Sequence, residues 1–233
     1  MADSLENRYT RNFNTISLEN QALLGKTHVA VIGLGGLGGG VCELLARTGI
    51  GTLTLIDGDS FDASNLNRQV LSREDNLGQS KAMAAETRIK TVNSRVTVHA
   101  HQVFVQKENI KDLLKGVDLV VDCLDTIPAR YLLQYAARQL DIPLVSGAIA
   151  GVSGQVTVIF PDDPGFEIIY PNPDTGDRGV ETVLGNMSYC AMFVASLQAS
   201  EVIKVITGIG EILRNKLLIA DLATNTMEVM DLI

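Results

Sequence analysis

Three features of this 233-residue chain predict an α/β fold: a mostly parallel sheet with helices on both faces and a C-terminal antiparallel extension. The apolar run Val29–Ile32 opens into the glycines of GLGGLGG (Gly33–Gly39), which reads as a strand turning into a helix. Short apolar segments then alternate with segments of helical periodicity, the signature of parallel strands joined by covering helices. Two further strand-like segments, Lys216–Ala220 and Met227–Leu232, close the chain.

The elements follow in order. Ser17–Leu24 reads as a short helix with Ser17 as its cap. Strands at His28–Ile32 and Thr52–Ile56 flank a helix from about Leu37 to Arg47, and Thr48-Gly49-Ile50-Gly51 stops that helix. This strand–helix–strand unit makes a parallel pair. Gln79–Val92 is helical, Arg95–Val103 a strand, Glu108–Leu114 a short helix, and Val117–Cys123 an apolar strand. Ile127–Leu140 carries Leu132, Leu133, Ala136, Ala137 and Leu140 at helical spacing. Pro143–Ser146 and Gln155–Phe160 read as strands separated by the glycine-rich Gly147–Gly154. Pro161–Gly185 holds four of the six prolines and little periodicity, so it reads as a long loop of functional character. A long apolar helix is expected over Met187–Thr207. Without repeats or low-complexity segments, one domain over 1–233 is the simplest organisation, its nucleotide-binding part spanning about 26–150.

Composition narrows the function. Hydrophobic residues make up 46% and charged residues 20%, as in soluble globular proteins. No uninterrupted apolar run reaches the roughly eighteen residues of a membrane span. The polar N-terminus MADSLENRYTRN has no apolar signal region, so the expected location is the cytosol. Net charge is −8, with no block of Lys or Arg to track a phosphate backbone, which argues against DNA as a partner. Cys42, Cys123 and Cys190 are scattered with no Cys-x-x-Cys pair, so neither a disulfide framework nor a thiolate zinc site is expected. His99 and His101 alternate on a strand without an evident third ligand.

Gly33, Gly35, Gly36 and Gly38 sit where strand becomes helix, so the backbone N–H groups and the helix N-terminus can cradle phosphate. Asp57 follows Gly38 by nineteen residues at the end of the next strand, the place of a ribose-reading carboxylate in a Rossmann-like fold. The glycine pattern alone also serves plain close packing; strand, helix and acid in register point to a nucleotide. A dinucleotide needs little further positive charge, whereas ATP brings about four negative charges and calls for cations or a metal. Asn65, Arg68 and Gln69 come shortly after Asp57, and Lys81 opens the next helix, a grouping suited to a triphosphate. Asp122 and Asp125 lie at the end of the strand Val117–Cys123, where a carboxylate can hold Mg²⁺ or cap the following helix together with Thr126; spacing alone does not choose.

The motifs RYTRN (Arg8–Asn12), GLGGLGG, LIDGD (Leu55–Asp59), SNLNRQ (Ser64–Gln69), GQSKA (Gly78–Ala82), DCLD (Asp122–Asp125) and SLQASEVIK (Ser196–Lys204) together resemble the ThiF, MoeB and HesA type of ubiquitin-activating-like adenylyltransferase. The resemblance implies ATP-dependent adenylylation of the C-terminal Gly-Gly carboxylate of a small ubiquitin-like sulfur-carrier protein, with release of pyrophosphate. It implies that Gly36 and its loop lie along the nucleotide, Asp57 takes the ribose, Asn65, Arg68 and Lys81 contact the phosphates, Gln69 supports that loop, and Asp125 binds Mg²⁺. It also implies a homodimer in which Arg11 reaches across a two-fold interface into the partner's site. No catalytic His or Ser is expected, because the attacking carboxylate is already ionised at pH 7.

The chain departs from the family pattern in three ways. It lacks the two Cys-x-x-Cys pairs that many relatives use for zinc, which would fall near Phe166–Tyr170 and Gly208–Leu213. Its Gly179–Gly185 segment has no cysteine, and Cys190 reads as a buried small apolar residue. Thr126 stands where Asn is usual. Alternatives are an enzyme like the tRNA threonylcarbamoyladenosine dehydratase, against which the acidic charge argues; a NAD-dependent dehydrogenase, which leaves Arg68, Lys81 and Asp125 without work; and a non-catalytic scaffold.

Overall fold

The structure, a computed structural model, describes residues 5–172 and 184–233. Eight strands form one sheet in the order β3-β2-β1-β4-β5-β6-β7-β8. The first half is β1 (His28–Ile32), β2 (Thr52–Ile56), β3 (Thr97–His101), β4 (Leu119–Asp122) and β5 (Leu144–Ala150), all parallel. From β5 onward the pairing turns antiparallel through β6 (Ser153–Ile159), β7 (Lys216–Asp221) and β8 (Thr226–Asp231). The antiparallel extension therefore begins one strand earlier than the two C-terminal segments alone suggest.

Helices in chain order are α1 (Leu5–Arg8), α2 (Leu18–Leu24), α3 (Gly38–Thr48), α4 (Lys81–Val92), α5 (Ile110–Leu113), α6 (Ile127–Leu140), α7 (Phe166–Ile169) and α8 (Ser188–Thr207). Their ends follow local chemistry. Ser17 and Ser80 accept N–H bonds at the starts of α2 and α4, and Gly49 (φ +100°) ends α3 in the left-handed conformation.

Both faces of the parallel half are covered, and β1 shows how. Val29 and Val31 join a core with Leu45, Leu53, Leu55, Val121 and Val194, under α3, α4 and α8. Ala30 and Ile32 point the other way, into a core with Val120, Leu133, Leu144 and Phe166, under α5, α6 and α7. An unbroken apolar run is what a strand buried on two faces requires.

Two expectations need correction. Gly147–Gly154 was expected to separate two strands, yet most of it is strand: β5 and β6 leave only Gly151 and Val152 as the connection, with Gly151 at φ +62°. The glycines serve close packing instead. A Cβ at Gly147 would lie 2.4 Å from Gln198 Cδ, and one at Gly154 would lie 2.2 Å from Val194 Cγ2, both on α8. The expected loop Pro161–Gly185 contains α7, which buries Phe166 against Tyr131 of α6; residues 173–183 of it lie outside the described part.

Helix α8 is, among the described residues, the one helix long and apolar enough to cross a membrane by length and composition. Its apolar face is occupied within the fold: Cys190, Val194, Ala195 and Val202 belong to the core under the sheet. Cys190 is accordingly a packing residue, 1% exposed, with its thiol pushed up by burial.

Candidate functional site

A cavity of about 1020 Å³ opens beyond the carboxyl ends of the parallel strands, where open α/β sheets bind ligands. Gly33, Gly35, Gly36, Asp57, Asn65, Arg68, Gln69, Lys81, Asp125 and Thr126 all line it. They come from five separate stretches of chain. Of the residues singled out in the sequence for this site, Gly38, Asp122 and Arg11 do not line it.

The glycine turn is built for close approach. Gly33 has φ +86°, and a Cβ there would lie 2.6 Å from the Cys123 carbonyl oxygen. Gly38 sits one layer below: its Cβ would fall 1.8 Å from Gly33 O, so it permits the turn rather than touching a ligand. No side chain caps α3 at Leu37, which leaves the helix N-terminus available to an anion.

Asp57 stands beside this turn. Its carboxylate accepts the Leu34 N–H at 2.7 Å and the Asp59 N–H at 2.8 Å. Burial nevertheless pushes its pKa up; those N–H bonds and the nearby Lys81 offset this only in part.

The SNLNRQ segment owes its shape to Asn65. Asn65 Oδ1 accepts the Asp62 N–H at 3.1 Å, closing a capping box over the 3₁₀ turn Ala63–Asn65. Its carbonyl accepts the backbone N–H groups of Arg68 and Gln69 at 3.1 and 2.9 Å. Arg68 donates to Ser64 O at 2.7 Å and to Asn67 Oδ1 at 3.2 Å, which holds its guanidinium along the cavity wall. Lys81 is the first residue of α4; its buried ammonium pairs with Asp59 at 3.1 Å.

Burial separates Asp122 from Asp125. Asp122 is fully buried and engaged by Arg130 Nη1 at 2.6 Å and Ser146 Oγ at 2.7 Å. It has no access to a ligand. Asp125 is exposed and lines the cavity. Thr126 precedes α6 but makes no side-chain capping bond.

Sequence reading missed three residues. Arg130, one turn into α6, bonds Leu124 O and reaches Gly147 O at 2.9 Å, so it braces the turn that carries Asp125. Its spacing from Asp122, eight residues away across a turn and the start of a helix, gave no recognisable motif. Phe104, 62% exposed, lies against Gly58 so closely that a Cβ there would be 2.6 Å from the ring. Asn186 lines the cavity from the segment preceding α8.

The histidines do not form a metal site: His28 and His99 rings are 6.0 Å apart, and His28 is bonded to Thr54 and Gly116. Among the described residues, no group of three or more His, Cys, Asp or Glu comes together around a metal position. Near the two segments where family zinc pairs would fall, Arg214 instead grips Asp163 at 2.8 Å and lies 4.5 Å from the Phe160 ring.

A glycine turn at a helix start, with a carboxylate and two cations lining the same cavity, has the features of a nucleotide-binding α/β fold. The model of the ThiF family matches residues 9–232, and the chain belongs to that family. It is 36% identical over 224 residues to "Adenylyltransferase and sulfurtransferase MOCS3" of Drosophila sechellia, covering 92% of this chain and 48% of that protein. The chain thus spans about half the length of the MOCS3 relatives it matches. It is also 36% identical over 230 residues to "SAMP-activating enzyme E1" of Haloferax volcanii, covering 95% of this chain and 83% of that enzyme. Among solved structures, Escherichia coli MccB superimposes with a TM-score of 0.85 at 22% identity over 98% of this chain and 70% of that one, a likeness of fold. Family membership goes against the dehydrogenase alternative, and both named relatives are enzymes.

Proposed function

We propose that this protein adenylylates the C-terminal Gly-Gly carboxylate of a small ubiquitin-like sulfur-carrier protein at the expense of ATP, releasing pyrophosphate. The observation that carries this reading is the convergence of Asp57, Arg68, Lys81 and Asp125 on one cavity above the glycine turn. A dinucleotide would leave the last three unused. Relatives named as an adenylyltransferase and as a SAMP-activating enzyme support the same chemistry.

In this reaction a carboxylate oxygen of the carrier attacks the α-phosphorus, the bond from that phosphorus to the bridging oxygen breaks, and pyrophosphate leaves with the electron pair. Two anions must meet, and charge builds on the leaving group. Arg68 and Lys81 relieve both costs by fixed positive charge in a partly desolvated site. For Lys81 this means exchanging Asp59 for phosphate oxygens. Asp57 positions the ribose, and the glycine turn with the α3 N-terminus holds phosphate. A Mg²⁺ ion suits Asp125, which is exposed on the wall and has no ion-pair partner among the described residues; when bound it supplies neutralisation of the polyphosphate charge. Asn65 and Gln69 keep the basic segment in shape, and Thr126 adds a hydroxyl to the cavity lining next to Asp125. No general base is required, since a C-terminal carboxylate is ionised at neutral pH.

The reading includes a homodimer with Arg11 acting on the partner's site, absence of a zinc centre, and action in the cytosol. Pyrophosphate–ATP exchange tests its core. Exchange is expected only when a Gly-Gly carrier is added, and Arg68→Ala and Asp125→Ala should each lower it by at least about 100-fold, as removal of a transition-state electrostatic contact does. Exchange that persists in either variant would remove that residue from the mechanism. ATP turnover stimulated by tRNA and by no Gly-Gly protein would favour the dehydratase alternative.

A further inference from the structure

Two buried side-chain atoms among the described residues have no hydrogen-bond partner, Gln69 Oε1 and Asn186 Oδ1, and both residues line the cavity. A buried amide oxygen left bare is costly, so each marks a place where a ligand supplies a donor. Gln69 lies over Gly35, in the half of the cavity already given to the nucleotide. Asn186 belongs to the other half. Its backbone bridges to Gly151 at the β5–β6 connection, flanked by Gly151 N–H to Gly185 O at 2.7 Å and Met187 N–H to Gly151 O at 3.2 Å. In the strand order that connection is three strands from β2, which carries Asp57 at its end.

The cavity lining there includes the small residues Ala148, Ala150, Ser153 and Gly154 beside the larger Ile149, Gln155, Tyr170 and Ile219. The small residues leave room for an extended main chain that carries no side chains. Chemistry separates the two ligands in the same way. Beyond its base and ribose, a nucleoside triphosphate presents acceptor oxygens at neutral pH, whereas a peptide main chain presents one N–H per residue.

We infer that Asn186 is a specificity residue for the carrier: its side-chain oxygen accepts a main-chain N–H of the incoming Gly-Gly tail. This rests on the adenylylation reading and adds to it the residue that recognises the tail as peptide. Asn186 is held in strand-like pairing with Gly151, so its side chain is pre-set beside the path of the tail.

The test is steady-state pyrophosphate–ATP exchange with purified ubiquitin-like proteins ending in Gly-Gly, the same proteins lacking the last two glycines serving as controls. Asn186→Ala should raise the KM for the carrier about tenfold, the size of one buried hydrogen bond. The KM for ATP and the melting temperature should stay as in the wild type. Asn186→Leu, of similar volume but without an acceptor, should lose as much as Asn186→Ala. An unchanged carrier KM, or a rise in the KM for ATP as large as that for the carrier, would overturn the assignment. Failure of the wild type to exchange with every Gly-Gly protein would be a different result, visible before any substitution, and would take the functional reading down together with this inference.

Discussion

At Asp57 burial and function pull in opposite directions. Its carboxyl is pushed above the ordinary range by desolvation, while a ribose hydroxyl is best accepted by the ionised form. The consequences have opposite signs. A carboxyl whose folded pKa is raised contributes stability that is full below its unfolded pKa and is lost as pH rises through the folded value. ATP affinity runs the other way and falls as pH drops through that same raised value. Titration of the ATP dissociation constant from neutral to acid pH should therefore weaken in the wild type at a higher pH than a solvent-exposed aspartate would give. Asp57→Asn should flatten that limb, and the comparison cancels the titration of ATP itself. A variant that keeps the wild-type profile would show that another group sets it. The same residue explains part of what was legible: an acid nineteen positions after a strand-to-helix glycine is a pattern in one dimension. Spacing did not separate Asp122 from Asp125 and only the family resemblance did; in the fold, burial against Arg130 and Ser146 sets Asp122 apart.

Among the elements, those bounded by clear punctuation were readable to the residue. β1 and β2 fall at His28–Ile32 and Thr52–Ile56 as expected, since apolar runs there end at glycine or aspartate. The β5–β6 hairpin was hidden because glycine signals a turn and a close helix approach alike, and which one applies depends on α8, some forty residues away. α7 was hidden by the prolines on either side of it, Pro164 and Pro171, and by its length of four residues. The segments after β6 and after α8 are joined by Arg214, whose guanidinium takes both oxygens of the buried Asp163 while Phe160 N–H donates to the same carboxylate. Removing that arginine leaves a buried carboxylate without its cation. Arg214→Ala should cost about 1–3 kcal/mol in urea unfolding, on the scale of a partly exposed but geometrically good pair. EDTA should leave the melting temperature unchanged, because this clamp needs no metal. A stoichiometric zinc per chain, or a large destabilisation by chelator, would reverse that view.

For the whole molecule, the residues proposed for the nucleotide, Gly38 apart, line one cavity of a single chain, and they sit in short motifs that can be read along the sequence. Arg11 is the exception. It is exposed and does not line the cavity of its own chain, which suits the proposed action in a second copy. That geometry makes a sharp prediction from subunit mixing. Arg11→Ala and Arg68→Ala homodimers should each be inactive in carrier-dependent exchange. In a heterodimer of the two, one site joins an intact Arg68 to the other subunit's intact Arg11, and the second site lacks both. Random reassortment of equal amounts puts half the dimers in that state, so about a quarter of wild-type activity should return. If Arg11 worked within its own chain, every site would lack one arginine or the other, and mixing would restore nothing. A monomer that exchanges at full rate would likewise end the two-fold arrangement, while leaving the roles of Asp57, Arg68 and Asp125 untouched.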